Sequence, residues 1–361
     1  MNILSEIEQI SSELENIFKD LHAYPELGFE EFRTSQIIKN KLAQYGVEKI
    51  TENLGGTGVV GLIKGRNGES ERKIGLRADM DALPIQEKTN LTYASNNPGK
   101  MHACGHDGHT TMLLGAAKYL AQTRNFNGIA VIIFQPAEEG LGGASRMLSE
   151  GLFRKFPCDE IYGIHNTPNG RFGKVSICKG AAMAGAAFFD LVVRGEGSHA
   201  AMPHCSKDSI VIGSNLVSQL QNIVSRKVPP LERIVLSVTQ FHAGTAYNII
   251  PEKSHVAGTI RYFSNQVFTQ VEQQIKSMCK GLEVANGIDI QVKIKKIFDV
   301  LVNDSKLSDL YMDSAQKIVG AELVERNEPP VMGSEDFADM LKHTKGAYCR
   351  IGHSKTQPLH N

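Results

Sequence analysis

The sequence predicts an α/β protein of two domains, the second a ferredoxin-like α+β unit inserted into the first. Three observations lead there. At 361 residues the chain exceeds what one hydrophobic core usually serves, roughly 250–300 residues. Over residues 1–183, short apolar runs alternate with helical patterns, as in a sheet covered by helices on both faces. Over 184–296 the order changes to β-α-β-β-α-β, and 297–361 returns to the first pattern, so the first domain is discontinuous.

Ile3, Ile7, Ile10, Leu14, Ile17 and Leu21 recur at three- and four-residue steps and predict an amphipathic helix from about residue 2 to 21. Pro25 stops it, because the residue before a proline is driven from helical geometry. A second helix is expected over 30–45, with Gly46 as its left-handed cap. Strands follow at Val59–Lys64, Lys73–Arg77, Ile129–Phe134 and Glu160–Ile164, with helices at Thr110–Gln122 and Ala144–Leu152. The inserted unit reads strand Phe188–Arg194, helix Ser209–Ser225, strands Ile234–Phe241 and His255–Tyr262, helix Val267–Ala285 and strand Ile288–Lys295. Helix Ser305–Val319 and strand Ala347–Ile351 close the chain.

Composition narrows the function. Thirty-nine basic and 39 acidic residues cancel, and a pI near 7.2 lacks the footprint of a general nucleic-acid binder. No run approaches the ~20 apolar residues of a membrane span. The N-terminus lacks the basic region and apolar run of a secretory signal. Six cysteines without framework spacing read as free thiols, and a cytoplasmic protein is expected.

The densest chemistry lies in Met101–His109, where three His, one Cys and one Asp fall within eight residues. Cys104 and His106, two apart across a glycine, can aim at one point, and a thiolate with an imidazole suits a borderline-soft divalent ion. Isolated Cys and His are often structural, so the cluster rather than either residue carries the signal. Asp79 and Asp81 follow an apolar strand, in the crevice where α/β folds hold ligands; one could orient a metal-bound histidine. Taken alone, the pair is a solvated turn. Glu138 and Glu139 also follow a buried-looking strand. Adjacent carboxylates diverge, so one can bind metal while the other acts as general base. His165 ends a further strand, and His360 lies near the end of the chain. Cys104, His106, Glu139, His165 and His360 are five donors, too many for one catalytic zinc. They suit two divalent ions ~3.5–4 Å apart with Cys104 as the bridge.

At these motifs the chain resembles the co-catalytic metallopeptidases of the aminoacylase and carboxypeptidase type. HACGHDGH, LRADMDALPIQE, FQPAEEG, the GIH strand end, GSHAAMPH and MGSEDF match in order along nearly the whole chain. Within that family they match the amidohydrolase branch, which includes the hippurate hydrolases; FQPAEEGLGGA and GLFRKF are similar to the latter. The resemblance implies a mixed-sheet, zinc-peptidase-like catalytic domain with a ferredoxin-like lid that dimerises, giving a homodimer or homotetramer. It implies two divalent ions (Zn, Mn, Co or Ni) on the five donors, Glu138 as base, and N-acyl-L-amino acids as substrates. His199 would reach the substrate carbonyl, in relatives frequently from the neighbouring subunit. Asn248 and Arg261 would hold the free carboxylate, and Asp81 matches the motif's aspartate, while Asp79 stands where other branches carry a metal-binding histidine. Relatives continue with a helix beyond the Leu359-His360 segment; either this sequence lacks that tail or, if the chain truly stops at Asn361, weakened ligation by His360 is expected.

Two rivals remain at this point. A thiol hydrolase would use Cys104 with His106 or His109 as base, leaving Glu138, Glu139 and His165 unexplained. A metal-bearing binding protein would need no base beside a ligand. His22, His242, His255, His343 and His353 read as surface or cap residues, and the other five cysteines as free thiols.

Overall fold

The computed structural model describes residues 3–168, 170–353 and 359–360. It divides into two compact units, one of residues 1–182, 301–330 and 336–361, the other of 183–300 and 331–335. The short 331–335 return belongs to the second unit, where Ala184 donates its N–H to the Val331 carbonyl.

The first unit is built on an eight-stranded mixed sheet, in the order Lys49–Leu54, Gly58–Lys64, Ile129–Gln135, Lys73–Asp79, Glu160–Thr167, Lys345–Gly352, Val175–Ser176 and Val324–Glu325. The Ile129–Gln135, Lys73–Asp79, Glu160–Thr167 and Lys345–Gly352 strands run parallel. Such strands are covered on both faces and carry near-continuous apolar runs; Ile132, Ile133 and Phe134 are fully buried. Helices Ser11–Ala23, Phe32–Gln44 and His106–Thr123 bury Ile17, Leu21, Ile38, Leu42 and Leu114 in one core with Ile132 and Phe134. Each such side chain contributes ~1.5–3 kcal/mol through removal from water.

Local differences from the sequence reading have physical causes. The N-terminal helix divides into Ile3–Glu8 and Ser11–Ala23, and the Ala144–Leu152 pattern divides into Gly143–Ser149 and Leu152–Lys155. Lys49–Leu54 is a strand that the reading omits, because its polar edge position leaves little apolar alternation. The largest difference matters for the site. The helix expected from Thr110 begins at His106, so the metal-type motif occupies its first turn.

The second unit has a four-stranded antiparallel sheet in the order Ile234–Ala243, Lys253–Tyr262, Gly185–Arg194, Asp289–Phe298. Helices Ser209–Asn222 and Asn265–Asn286 cover one face, burying Leu216, Leu220, Val271 and Ile275 against Phe189, Leu191, Val256 and Ile260. The strand order 2-3-1-4 is the ferredoxin-like arrangement that the β-α-β-β-α-β pattern predicts.

Candidate metal centre

The carboxyl ends of three parallel strands deliver the first residues of the site. Asp79 and Gln135 end their strands, and His165 lies in the last turn of pleat of Glu160–Thr167. Gly105 precedes the helix His106–Thr123 at φ +90, and a Cβ there would sit 2.7 Å from the Asn166 side chain. Only glycine meets both demands, and the turn it makes sets Cys104 and His106 beside one another.

Cys104, His106 and His165 present donor atoms within 4.8 Å of one another, and so do Cys104, Glu139 and His360. Cys104 is common to both groups. Two of the three imidazoles have their other nitrogen engaged. His106 Nδ1 lies 3.1 Å from Asp81 Oδ1, and His165 Nδ1 donates to the Asn166 carbonyl at 2.6 Å. The His165 Nε2 lone pair therefore faces Cys104 Sγ, 3.4 Å away. The His360 main-chain N–H bonds the Ala103 carbonyl at 3.0 Å, and the ring Nε2 lies 3.3 Å from Glu139 Oε1. Orienting a ligating histidine through its second nitrogen is the usual supporting arrangement at metal sites.

The fit to cations can be tested on the chain itself. His106 Nε2 and Glu139 Oε1 are buried and have no hydrogen-bond partner among the described residues. Buried polar atoms are rarely left so, unless a ligand completes them. The electrostatics agree. Burial pushes the His106 imidazole down, but Asp79, Cys104 and Asp81 together raise it well above its ordinary value. Cys104 and Glu139 beside its ring raise His360 to about 10. Burial and the neighbouring His109 hold His165 down at about 3, as a neutral donor. The donor set is an anionic field with a neutral imidazole in place, and it fits two divalent ions.

Glu138 is buried beside this group, and the Asp336 N–H approaches its Oε1 at 3.4 Å. The preceding residue, Ala137, takes φ +53. A left-handed non-glycine residue costs ~1–3 kcal/mol and persists only where its surroundings enforce it. This turn brings a carboxylate oxygen of Glu138 and one of Glu139 within 4.8 Å of each other and of a His106 ring nitrogen. Asp81 ties the segment down, accepting the Glu139 N–H at 3.0 Å on the oxygen not used by His106.

Several residues around the donors had no assigned role in the sequence reading. Arg77 donates to Asp79 Oδ2 at 2.7 Å, to Asp336 Oδ1 at 3.1 Å and to Gln135 Oε1 at 2.8 Å. The signal was an arginine inside an apolar strand. Burial opposes the charge on Asp79, yet His106, His109 and Arg77 hold it well below the usual carboxylate range. His109 accepts the Asn166 N–H on Nε2 at 3.0 Å and donates from Nδ1 to Asp79 at 2.6 Å. With both His109 nitrogens and both Asp79 oxygens engaged, neither faces the donor cluster as a free ligand. His22 is not a surface residue. It is buried, with Nδ1 2.6 Å from Asp107 and Nε2 3.2 Å from Glu87. An isolated histidine in a helical pattern carries no sign of carboxylates 65 and 85 residues away. Arg77→Met leaves Asp79 and Asp336 buried without their counter-charge. We expect a loss of about 3–5 kcal/mol in urea unfolding; a loss below about 1 kcal/mol would contradict this account of the network.

His199, Asn248 and Arg261 belong to the second unit. Ser198–His199 pairs with Ile249–Ile250, and the Ala200 N–H bonds the Asn248 carbonyl at 3.0 Å, so His199 and Asn248 lie on one two-stranded antiparallel ladder. His199 Nδ1 accepts the Ala201 N–H at 3.1 Å, which leaves the proton on Nε2. Arg261 lies on the strand Lys253–Tyr262 and donates to the Ser334 hydroxyl at 2.7 Å.

An α/β sheet with a shared-thiolate donor cluster at its carboxyl edge and a second carboxylate beside it defines a dinuclear metallohydrolase. The sequence places it more closely: the chain belongs to Peptidase family M20/M25/M40, whose profile matches residues 75–361. It is 44% identical over 361 residues to the hippurate hydrolase of Campylobacter jejuni, covering all of this chain and 93% of that one. It is 39% identical to the N-acetyldiaminopimelate deacetylase of Leuconostoc citreum, over 96% of this chain and 90% of the relative. A solved dinuclear metal-binding peptidase of the M20 family from Bacillus subtilis superposes with a TM-score of 0.84 at 32% identity, over 98% of this chain and 92% of that one. The chain is a metal-dependent hydrolase acting on amide bonds and takes two divalent ions.

Proposed function

We propose that the chain hydrolyses N-acyl-L-amino acids of the hippurate or N-acetyl type, releasing a carboxylic acid and a free amino acid. The observation that carries this is the pair of adjacent carboxylates at the donor cluster, Glu139 grouped with Cys104 and His360 and Glu138 buried next to it. Cys104, His106, Glu139, His165 and His360 hold the ions. Two divalent ions, when bound, acidify a water and polarise the scissile carbonyl. Glu138 takes a proton from the attacking water and returns it to the departing amine nitrogen. Asp81 orients His106 and the Glu139 backbone together. His199, with its proton on Nε2, donates a hydrogen bond to the oxyanion that develops on the carbonyl. Zinc, cobalt and nickel suit the thiolate and imidazole donors, and manganese suits the carboxylate among them.

Arg261 and Asn248 hold the substrate's free carboxylate. In support, Arg261 borders a groove of about 440 Å³ on the open face of its sheet, lined also by Phe188 and Thr259. A guanidinium pairs with a carboxylate through two parallel hydrogen bonds. Assays of benzoyl-, acetyl- and lauroyl-amino acids and their C-terminal amides, with each metal, test the whole reading. We expect the free acids to exceed the amides by about 100-fold in kcat/KM, a preference that Arg261→Ala removes. Equal turnover of acids and amides would exclude this substrate class.

The same proposal places the protein in the cytoplasm as a homodimer or homotetramer formed through the second unit. The six cysteines are all free thiols, which suits a reducing compartment. Ile210 and Val211 are exposed on the Ser209–Asn222 helix, and Ile234–Ala243 is an edge strand. Among the described residues no helix is long and apolar enough to cross a membrane.

A further inference from the structure

Glu31 is fully buried, far in sequence from every donor, and outside the mechanism above. Its Oε1 accepts the Ala137 N–H at 2.8 Å, and its Oε2 accepts the Thr57 hydroxyl at 2.5 Å. We propose that Glu31 is a positioning residue that holds Ala137 in its left-handed turn and so keeps the Glu138 and Glu139 carboxylates in place at the donor cluster. The proposal rests on the reading of Glu138 as base and Glu139 as ligand.

Three features support it. Glu31 immediately precedes the helix Phe32–Gln44, where a carboxylate ordinarily caps its own helix, yet it makes no such bond. Glu26 takes that task, accepting the Arg33 and Thr34 N–H groups at 3.0 and 2.8 Å, and Glu31 is left free to serve Ala137. The segment also packs closely on the turn, since a Cβ on Gly28 would lie 3.0 Å from the Ala137 Cα. Finally, the loop is held at three backbone N–H groups by buried carboxylates from separate segments. Asp81 takes the Glu139 N–H, Asp336 takes the Ala144 N–H at 2.9 Å, and Glu31 takes the one on the strained residue. Burial pushes the Glu31 carboxyl up to about 7, so a polar group is held here at a desolvation cost that simple space-filling would not require.

The test uses purified full-length protein loaded with zinc, and reads kcat, KM, zinc affinity and melting temperature. In E31Q the amide oxygen still accepts the Ala137 N–H and its NH2 can donate to Thr57, so kcat should stay within about threefold of wild type. E31A should lose about 30-fold in kcat with KM within twofold, and should bind zinc about tenfold more weakly. Adding A137G should return about tenfold in kcat, because glycine adopts positive φ without strain. A residue that only stabilises the fold would lower the melting temperature and leave kcat per folded molecule unchanged. The proposal is overturned by E31A turning over at wild-type rate, by E31Q falling as far as E31A, or by no recovery with A137G. E31M, which fills the space without an acceptor, carries the same expectation if E31A does not fold. Failure of both to fold beside a normal E31Q would assign Glu31 to the core and overturn the proposal as well. E138Q is measured alongside. E138Q at full rate removes the reading beneath the proposal, whereas an inactive E138Q with a fully active E31A removes the proposal alone.

Discussion

Glu138→Gln keeps both ions and loses about 10³-fold or more in kcat. Proton transfer by one placed group contributes roughly 10²–10⁴-fold, and Glu138 serves both the attack and the departure of the amine. Glutamine preserves the volume of a buried side chain and can still accept the Asp336 N–H, so the fold and the neighbouring donors should be undisturbed. Glu139 contributes its own carboxylate to the donor group, and so metal content should not change. Steady-state kinetics with elemental analysis of the same preparation measures both. A variant with more than a tenth of wild-type turnover would reject Glu138 as the base.

Removal of the metals by a chelator abolishes turnover, to below about 1% of the starting rate, and two equivalents of a divalent ion restore it. The same treatment lowers the melting temperature, because ions that bind only the folded state stabilise it; at 1,000 times the dissociation constant this linkage amounts to about 4 kcal/mol. Protein holding less than a tenth of an equivalent of metal and hydrolysing at full rate would end the metal reading. This experiment also separates the thiol-hydrolase alternative, which a thiol reagent cannot, since Cys104 is central to both. The bonding of His109 to Asn166 and Asp79 engages one of the two candidate bases of that alternative and leaves His106 as the other.

The donors were legible because their chemistry is concentrated. Packing has no use for Cys104, His106 and His109 within six residues of a strand-to-helix turn, and Glu138-Glu139 after an apolar strand is equally conspicuous. Periodicity also revealed the inserted β-α-β-β-α-β unit, since its helices and strands have clean apolar faces. Less was visible where the signal is a single residue. The helix start at His106 was hidden because a glycine-rich, histidine-rich turn looks like a loop. Arg77, Gln135 and Asp336 form one buried network, but the residues are 58 and 201 apart along the chain. Glu31 sits in a run of acidic residues that reads as a solvated helix start.

By itself, then, the amino-acid order determined which side chains of this protein can hold ions and carry protons, and which segments become strands and helices. These follow from side-chain chemistry and from periodicities of 2 and 3.6 residues, both local properties. Only the tertiary structure decided which nitrogen of each histidine faces the donor cluster, that Asp79 and His109 are engaged elsewhere, and that the residue ahead of the carboxylate pair is a left-handed alanine under a buried glutamate. Those choices depend on hydrogen bonds between residues tens to hundreds of positions apart, and they exist only once the parallel strands bring their carboxyl ends together.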